Sequence, residues 1–279
     1  MLLIVASDND PNSRRIIDQA HMHGIDYHLL DVGNDPIPTF HWRMDHKRLV
    51  INEMELEPDA IYVRHDVFTK DRQHWSSLAT QSLVDYAEIH PSIHILNRGH
   101  LGHINNKIVN LKLAKDLGLR IPQTTVVTGQ DIPEALQMQL KLSIFKPLQG
   151  GDYVKMSSDF KQHLHSSLLQ TQLKGVNYRV FVIGDRDFTF KITTNALDYR
   201  LDQSPSLHFV NAPDKIRTAC GQIAKTLGLD YCAHDFRSDE DGQWHYLETN
   251  SFPMFVAFDD VADNALAAAQ LHVLGYSHR

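Results

Sequence analysis

His234-Asp235-Phe236-Arg237, a short polar turn, and Tyr246-Leu247-Glu248-Thr249-Asn250 decide how this chain is read. The two runs predict a β-hairpin with Asp235 on one strand and Glu248 and Asn250 on the other. Glu248 and Asn250 are two residues apart, so on an extended strand they share a face. Two carboxylates and an amide oxygen on one face suit Mg²⁺, which takes a few protein oxygens and leaves its other positions to water and phosphate. The alternative on these residues alone is a solvated acidic hairpin. Geometry imposes a condition on the metal reading: Asp235 and Glu248 must face the same way, so an odd-numbered residue of the first strand must oppose an even-numbered one of the second. That needs an even number of residues in the turn, or a bulge.

Composition narrows the class. The 279 residues are 42% hydrophobic and 22% charged, as in an ordinary globular protein with room for two or three lobes. No window matches a membrane span, and Met1-Leu2-Leu3-Ile4-Val5-Ala6 runs straight into Asp8 and Asp10, as a first strand does and a signal peptide does not. A net charge of −7 argues against nucleic-acid binding. Cys220 and Cys232 read as small buried apolar residues of a reducing, cytoplasmic compartment. The spacing of His100/His103 and His163/His165 is too loose, without cysteines, for a closed zinc site.

Along the chain, Leu2–Ala6, Ser13–His23 and Tyr27–Val32 alternate strand, helix and strand, predicting a βαβ unit on a parallel sheet. Ala60–Val63 is a further strand ending at Arg64, either a substrate-carboxylate anchor at the crevice of an α/β sheet or a loop arginine. No Gly-x-Gly-x-x-Gly follows the first strand and no Walker-type lysine loop occurs. His90–Asn97 reads as a link to a second lobe. Helices are expected over Ile104–Leu117, Asp131–Gln139, Asp214–Leu227 and Asp263–Leu274. Thr124–Val127, Leu142–Lys146, Val176–Ile183 and Phe188–Thr193 read as strands, with a flexible Gln149-Gly150-Gly151-Asp152 turn between the second and third.

The order of the pieces carries a resemblance. Asn105-Asn106-Lys107 precedes Gly118-Leu119-Arg120-Ile121-Pro122-Gln123-Thr124; then come Phe145-Lys146-Pro147, the glycine turn, Asn177-Tyr178-Arg179-Val180-Phe181-Val182-Ile183-Gly184, and the acidic hairpin. Over residues 97–259 this succession resembles the ATP-grasp superfamily, in the branch of RimK-like glutamate ligases and microviridin-type peptide-modifying ligases. The resemblance implies a mixed α/β and α+β fold: an N-terminal parallel-sheet lobe (1–96), a central lobe (97–172) and a C-terminal lobe with the metal hairpin (173–279), the last two sandwiching ATP.

It also implies roles. Lys107, Lys146, Gln172, Leu173, Asn177 and Lys191 would bind the nucleotide, and Asp235, Glu248 and Asn250 would hold Mg²⁺, as two ions with Mn²⁺ as a substitute. Arg179 and Arg200 would stabilise the reacting acyl phosphate, with Arg200, in Asp198-Tyr199-Arg200, and Arg64 meeting an acidic substrate. The activity implied is an ADP-forming ligation of carboxylate to amine, giving an amide or ester on a peptide or protein side chain. Joining free amino acids is the alternative, and a non-catalytic nucleotide- or peptide-binding module a second one. Homo-oligomers are common among such ligases. The chain departs from the family pattern in its short glycine loop, in Ser251-Phe252-Pro253-Met254 after the last ligand, in Asn177 where an aspartate is frequent, and in a linker, Leu169–Leu173, without an acidic residue.

Overall fold

The structure is a computed structural model describing residues 1–33, 38–64, 73–99, 106–128, 143–148, 155–156, 166–194 and 205–276. The expected helix over Asp131–Gln139, the Gln149–Asp152 turn, both histidine pairs and Arg200 lie outside these residues.

The first sheet has the order β2-β1-β6-β7, all parallel, from β1 (Leu2–Ala6), β2 (Tyr27–Asp31), β6 (Ala60–Val63) and β7 (His94–Ile95). Helix α1 (Pro11–Met22) connects the first two; Asp10 caps it by accepting from the Asn12 amide, and Pro11 opens it. Every residue of β1 is buried because helices or loops cover both faces of this sheet. A small antiparallel sheet of β3 (Phe40–Trp42), β4 (Leu49–Ile51) and β5 (Met54–Leu56) is inserted before β6. Its three-residue strands are too short for a period to emerge from the sequence. It joins α2 (Gln73–Ile89) in a core on one face of the first sheet, where Leu3, Val5, Ile61 and Val63 meet Leu49, Ile51, Leu83 and Tyr86. His90–Asn97 is less of a link than expected, since β7 pairs with β6 and belongs to the first sheet.

The second sheet, antiparallel in the order β10-β9-β11-β8, is built from β8 (Thr124–Thr128), β9 (Ser143–Pro147), β10 (Lys155–Met156) and β11 (Ser166–Thr171). Before it comes α3 (Lys107–Asp116), whose N-cap Asn106 accepts from the Val109 amide and whose end is closed by left-handed Gly118. The third sheet, order β14-β13-β12-β15-β16, is antiparallel throughout. It comprises β12 (Asn177–Ile183), β13 (Arg186–Thr193), β14 (Ser206–Val210), β15 (Tyr231–Ser238) and β16 (Trp244–Asn250). Helix α4 (Asp214–Thr226) covers one of its faces: Ile216, Cys220 and Ile223 pack on Val180, Val182, Cys232, Phe236 and Tyr246, and Leu111 and Ala114 of α3 join this core.

The opposite face of the third sheet packs against the first lobe. Phe181, Phe190, Tyr231 and Ala233 share one core with Leu2, Ile4, Ile16 and Tyr62, together with α5 (Val256–Val261) and α6 (Ala265–Val273). The last helix is the one expected over Asp263–Leu274, and α5, just before it, is additional. Asp263 and Asn264 adopt positive φ (53° and 63°), which stops α5 and lets α6 start in a new direction. Among the described residues no helix is long and apolar enough to cross a membrane.

Buried polar side chains fix the joint between the first and third lobes. Asn97, fully buried, donates to the Tyr231 and Ser251 carbonyls (2.7 and 2.6 Å) and accepts from the Tyr231 amide (2.8 Å). Asn12 accepts from the Phe255 amide (2.8 Å), and Arg15 reaches Asp259 (3.0 Å) and Asn264 (2.7 Å). Asn97 also holds a left-handed backbone (φ 53°) that alanine adopts at a cost. Asn97→Ala strands three backbone groups, and a loss of about 3 kcal/mol is expected in urea unfolding; an unchanged midpoint would show that the joint does not depend on it.

Candidate functional site

The site begins with a register. The hairpin closes with Ser238 opposite Trp244, leaving five residues in the turn, an odd number that would put Leu247 opposite Asp235. Instead Asp235 stands opposite Glu248 and Ala233 opposite Asn250, because the pairing shifts by one residue between Asp235 and Phe236. Leu247 is the extra residue of a β-bulge. The condition set by the sequence is therefore met, by the bulge and not by the turn.

Directly opposed residues share a face, so the register of β12 extends the cluster. Arg179 is opposite Asp235, and Asn177 is opposite Arg237. One face thus carries Asn177, Arg179, Asp235, Arg237, Glu248 and Asn250. Arg179 donates through Nε and Nη2 to the two oxygens of Asp235 (2.7 and 2.8 Å), and its guanidinium lies over the rings of Phe181 (5.9 Å) and Phe258 (5.4 Å). Asn250 donates to Asp235 (3.1 Å) and weakly to Glu248 (3.5 Å). Towards Phe181 and Ala233 the face disappears into the core shared with the first lobe. A ligand on the carboxylates therefore extends the other way, past Arg237, whose Nε donates to the Gly175 carbonyl (3.2 Å) of the linker between the second and third sheets. Burial pushes the Arg237 guanidinium below its usual pKa.

The donor set fits a hard cation: two carboxylates and an amide whose oxygen takes the place of its nitrogen by a half-turn. Among the described residues no three His, Cys, Asp or Glu gather into a group able to hold a metal. Asp235, Glu248 and Asn250 would thus be completed by solvent or phosphate, and each oxygen of Asp235 that accepts from Arg179 keeps a second lone pair for a cation.

The lysines come from the second lobe. Lys107, first residue of α3, donates to the Pro147 carbonyl (3.0 Å), which brings it to the end of β9 beside Lys146. The two segments thus lie side by side, and Lys146 is largely buried. The segment before β8 meets the β15–β16 hairpin directly, since the Tyr246 amide of β16 donates to the Arg120 carbonyl (2.8 Å). Gln172 and Leu173 lie in the linker that follows β11. Gln170, just before them, is fully buried with its Nε2 on Thr124 (3.0 Å) and, among the described residues, no hydrogen bond to its Oε1.

Two expected residues stand elsewhere. Lys191 is opposite Tyr178 and His208, which puts it on the α4 face of the sheet, away from Arg179 and Asp235. Arg64 is buried (5% exposed), paired with Asp10 through Nε and donating from Nη1 to the Pro253 carbonyl (3.4 Å). It ties the first lobe to the loop after Asn250 and does not project as an anchor. Sequence reading missed the polar underside of the hairpin, where His234 Nδ1 meets Thr249 Oγ1 (2.8 Å) and Thr249 Oγ1 meets the Tyr246 hydroxyl (2.6 Å). Burial pushes His234 down to about 3 and the Tyr246 hydroxyl up, so both are neutral. The alternation of His234 with Asp235 and of Thr249 with Glu248 was the available signal.

No protein-family model and no curated protein matches the sequence. Solved structures do. The macrocyclase MdnC from Microcystis aeruginosa, bound with precursor peptide MdnA, is 17% identical, with 99% of this chain and 100% of that one aligned at a TM-score of 0.78. The ATP-grasp ligase PsnB, complexed with a phosphomimetic variant of its minimal precursor, Mg and ADP, is 18% identical over 98% of both chains at 0.77. A peptide-associated ATP-grasp ligase of Chryseobacterium gregarium, in complex with ADP and a leader and core peptide, is 14% identical over 98% and 96% at 0.74. The chain has the ATP-grasp fold.

Arg179 and Asp235 are both mostly buried (side chains 8% and 13% exposed). Arg179→Met leaves Asp235 and Glu248 to repel each other and is expected to cost about 3 kcal/mol in urea unfolding. A double-mutant cycle with Asp235→Asn should give a coupling of about 2 kcal/mol, whereas strict additivity would show that the pair contributes nothing.

Proposed function

We propose that this protein is an ATP-dependent, ADP-forming carboxylate–amine ligase that works on side chains of a peptide or protein. The observation that carries the reading is the Arg179–Asp235–Glu248–Asn250 constellation, brought to one face by the bulge and continued by Arg237 towards the linker at Gly175. The fold supports it, as do the precursor peptides, ADP and Mg seen with its structural neighbours.

A carboxylate does not condense with an amine at neutral pH because oxide is too poor a leaving group. In the proposed reaction a substrate carboxylate oxygen attacks the γ-phosphorus of ATP, ADP leaves, and an acyl phosphate forms. An amine, or a hydroxyl, then adds to the acyl carbon, and phosphate departs with the original carboxylate oxygen. The amine proton passes to phosphate or solvent. Mg²⁺, as two ions with Mn²⁺ as a substitute, would neutralise charge on the transferring phosphoryl group.

The remaining roles belong to the chain. Lys107 and Lys146 bind phosphate oxygens from the second lobe. Gln172 and Leu173 border the base through the linker, and Asn177 reaches the ribose. Arg179 is a fixed fork for the phosphate and for the oxyanion of the addition step. Arg200, outside the described residues, is assigned to an acidic substrate. Lys191 is left out because it occupies the other face, and Arg64 because its guanidinium is committed to Asp10 and Pro253. A homo-oligomer completes the proposal.

Incubation with MgATP and a peptide rich in Asp, Glu, Lys, Ser and Thr tests it. Release of ADP and phosphate together with loss of one water per bond in the peptide mass is expected, and Arg179→Gln should lower the rate at least about a hundredfold. ADP release with free amino acids alone would transfer the reading to a small-molecule ligase, and no turnover with either substrate class would overturn it.

A further inference from the structure

Beneath the carboxylates runs a second, buried chain of polar groups that the proposed chemistry does not touch. The Tyr246 hydroxyl lies 2.6 Å from Thr249 Oγ1, and Thr249 Oγ1 lies 2.8 Å from His234 Nδ1. All three side chains are at most 1% exposed. On its other side the His234 ring faces Cys232, with Nε2 3.5 Å from Cys232 Sγ. Protons can be placed along the whole chain. With the neutral His234 ring protonated on Nε2, Nδ1 accepts from the Thr249 hydroxyl and Thr249 Oγ1 accepts from the Tyr246 hydroxyl.

The spacing of this chain is what gives it meaning. Residues three apart on an unbroken strand point to opposite faces. Tyr246 and Thr249 share the underside only because Leu247 is bulged between them. In the register that the five-residue turn would otherwise impose, Thr249 would move to the upper face and Glu248 would be turned down against Cys220, Cys232 and Phe236. The hydrogen-bonded chain can therefore form in the shifted register and in no other. A bulge interrupts the ladder and needs compensation from elsewhere, and here the compensation lies directly under the residues that the bulge re-aims.

We propose that Tyr246, Thr249 and His234 form a register lock: positioning residues that hold Glu248 and Asn250 beside Asp235 and thereby set the affinity of the site for a divalent cation. The inference rests on the reading of these three upper-face residues as the cation site. Thr249 is its pivot, being bonded to both other members and lying between the two ligands it positions.

The test titrates Mg²⁺ calorimetrically in the presence of saturating ADP, well below the unfolding midpoint, on wild type, Thr249→Val and Thr249→Ser. Thr249→Val keeps the shape and removes the hydroxyl, and is expected to raise the Mg²⁺ dissociation constant about tenfold; Thr249→Ser is expected to restore it. A role in stability alone would lower the midpoint without moving the dissociation constant of the folded protein. Unchanged affinity in Thr249→Val would overturn the lock. Should that variant not fold, Tyr246→Phe removes one bond at the end of the chain, and an unchanged constant there would overturn it equally. If wild type binds no Mg²⁺ with ADP, the nucleotide reading fails, and the lock is decided by cross-strand amide contacts between Asp235 and Glu248 in NMR spectra: their loss in Thr249→Val upholds it, their persistence overturns it.

Discussion

The site depends on which way Glu248 points. Side chains alternate along an unbroken strand, so a one-residue difference in pairing moves a carboxylate from the ligand face to the α4 core. The turn of the hairpin favours the wrong answer and the bulge at Leu247 reverses it. With that reversal, Asp235, Glu248 and Asn250 come together, Arg179 finds Asp235 across β12, and Asn177 and Arg237 continue the same face towards the linker. Without it, two of the three oxygen donors would be lost at once.

A second constraint fixes where that face is open. The third sheet is sandwiched, with α4 and α3 on one side and the first lobe with α5 and α6 on the other. Half of the ligand face is consumed by the joint core, whose direction Asn97, Asn12 and Arg64 set through bonds to the backbone at Tyr231, Ser251, Pro253 and Phe255. What is left outside that core is the polar half, which carries Asp235, Arg237, Glu248 and Asn250 towards the linker at Gly175.

Much of this was legible from the chain. The βαβ opening, the helix over Asp214–Thr226 and the β15–β16 hairpin follow from periodicity and turn chemistry, since each is a local signal. The pairing of Asp235 with Glu248 could be posed as a condition but not decided, because a bulge leaves no mark in composition. Lys191 and Arg64 were misplaced for related reasons. Lys191 belongs to a strand whose facing is set by its partner Tyr178, and Arg64 finds its counter-ion in Asp10, 54 residues earlier. The short strands β3 to β5 and the break at Asp263–Asn264 depend on tertiary packing and on left-handed backbone that no hydrophobic pattern encodes.

The most direct test of the account is calorimetric binding of a non-hydrolysable ATP analogue, with and without Mg²⁺, to wild type and to Glu248→Ala. The account predicts binding that is tightened by Mg²⁺ in wild type and loses that dependence in Glu248→Ala. Binding of equal strength with and without Mg²⁺ in both proteins, or no binding by folded wild type, would contradict it.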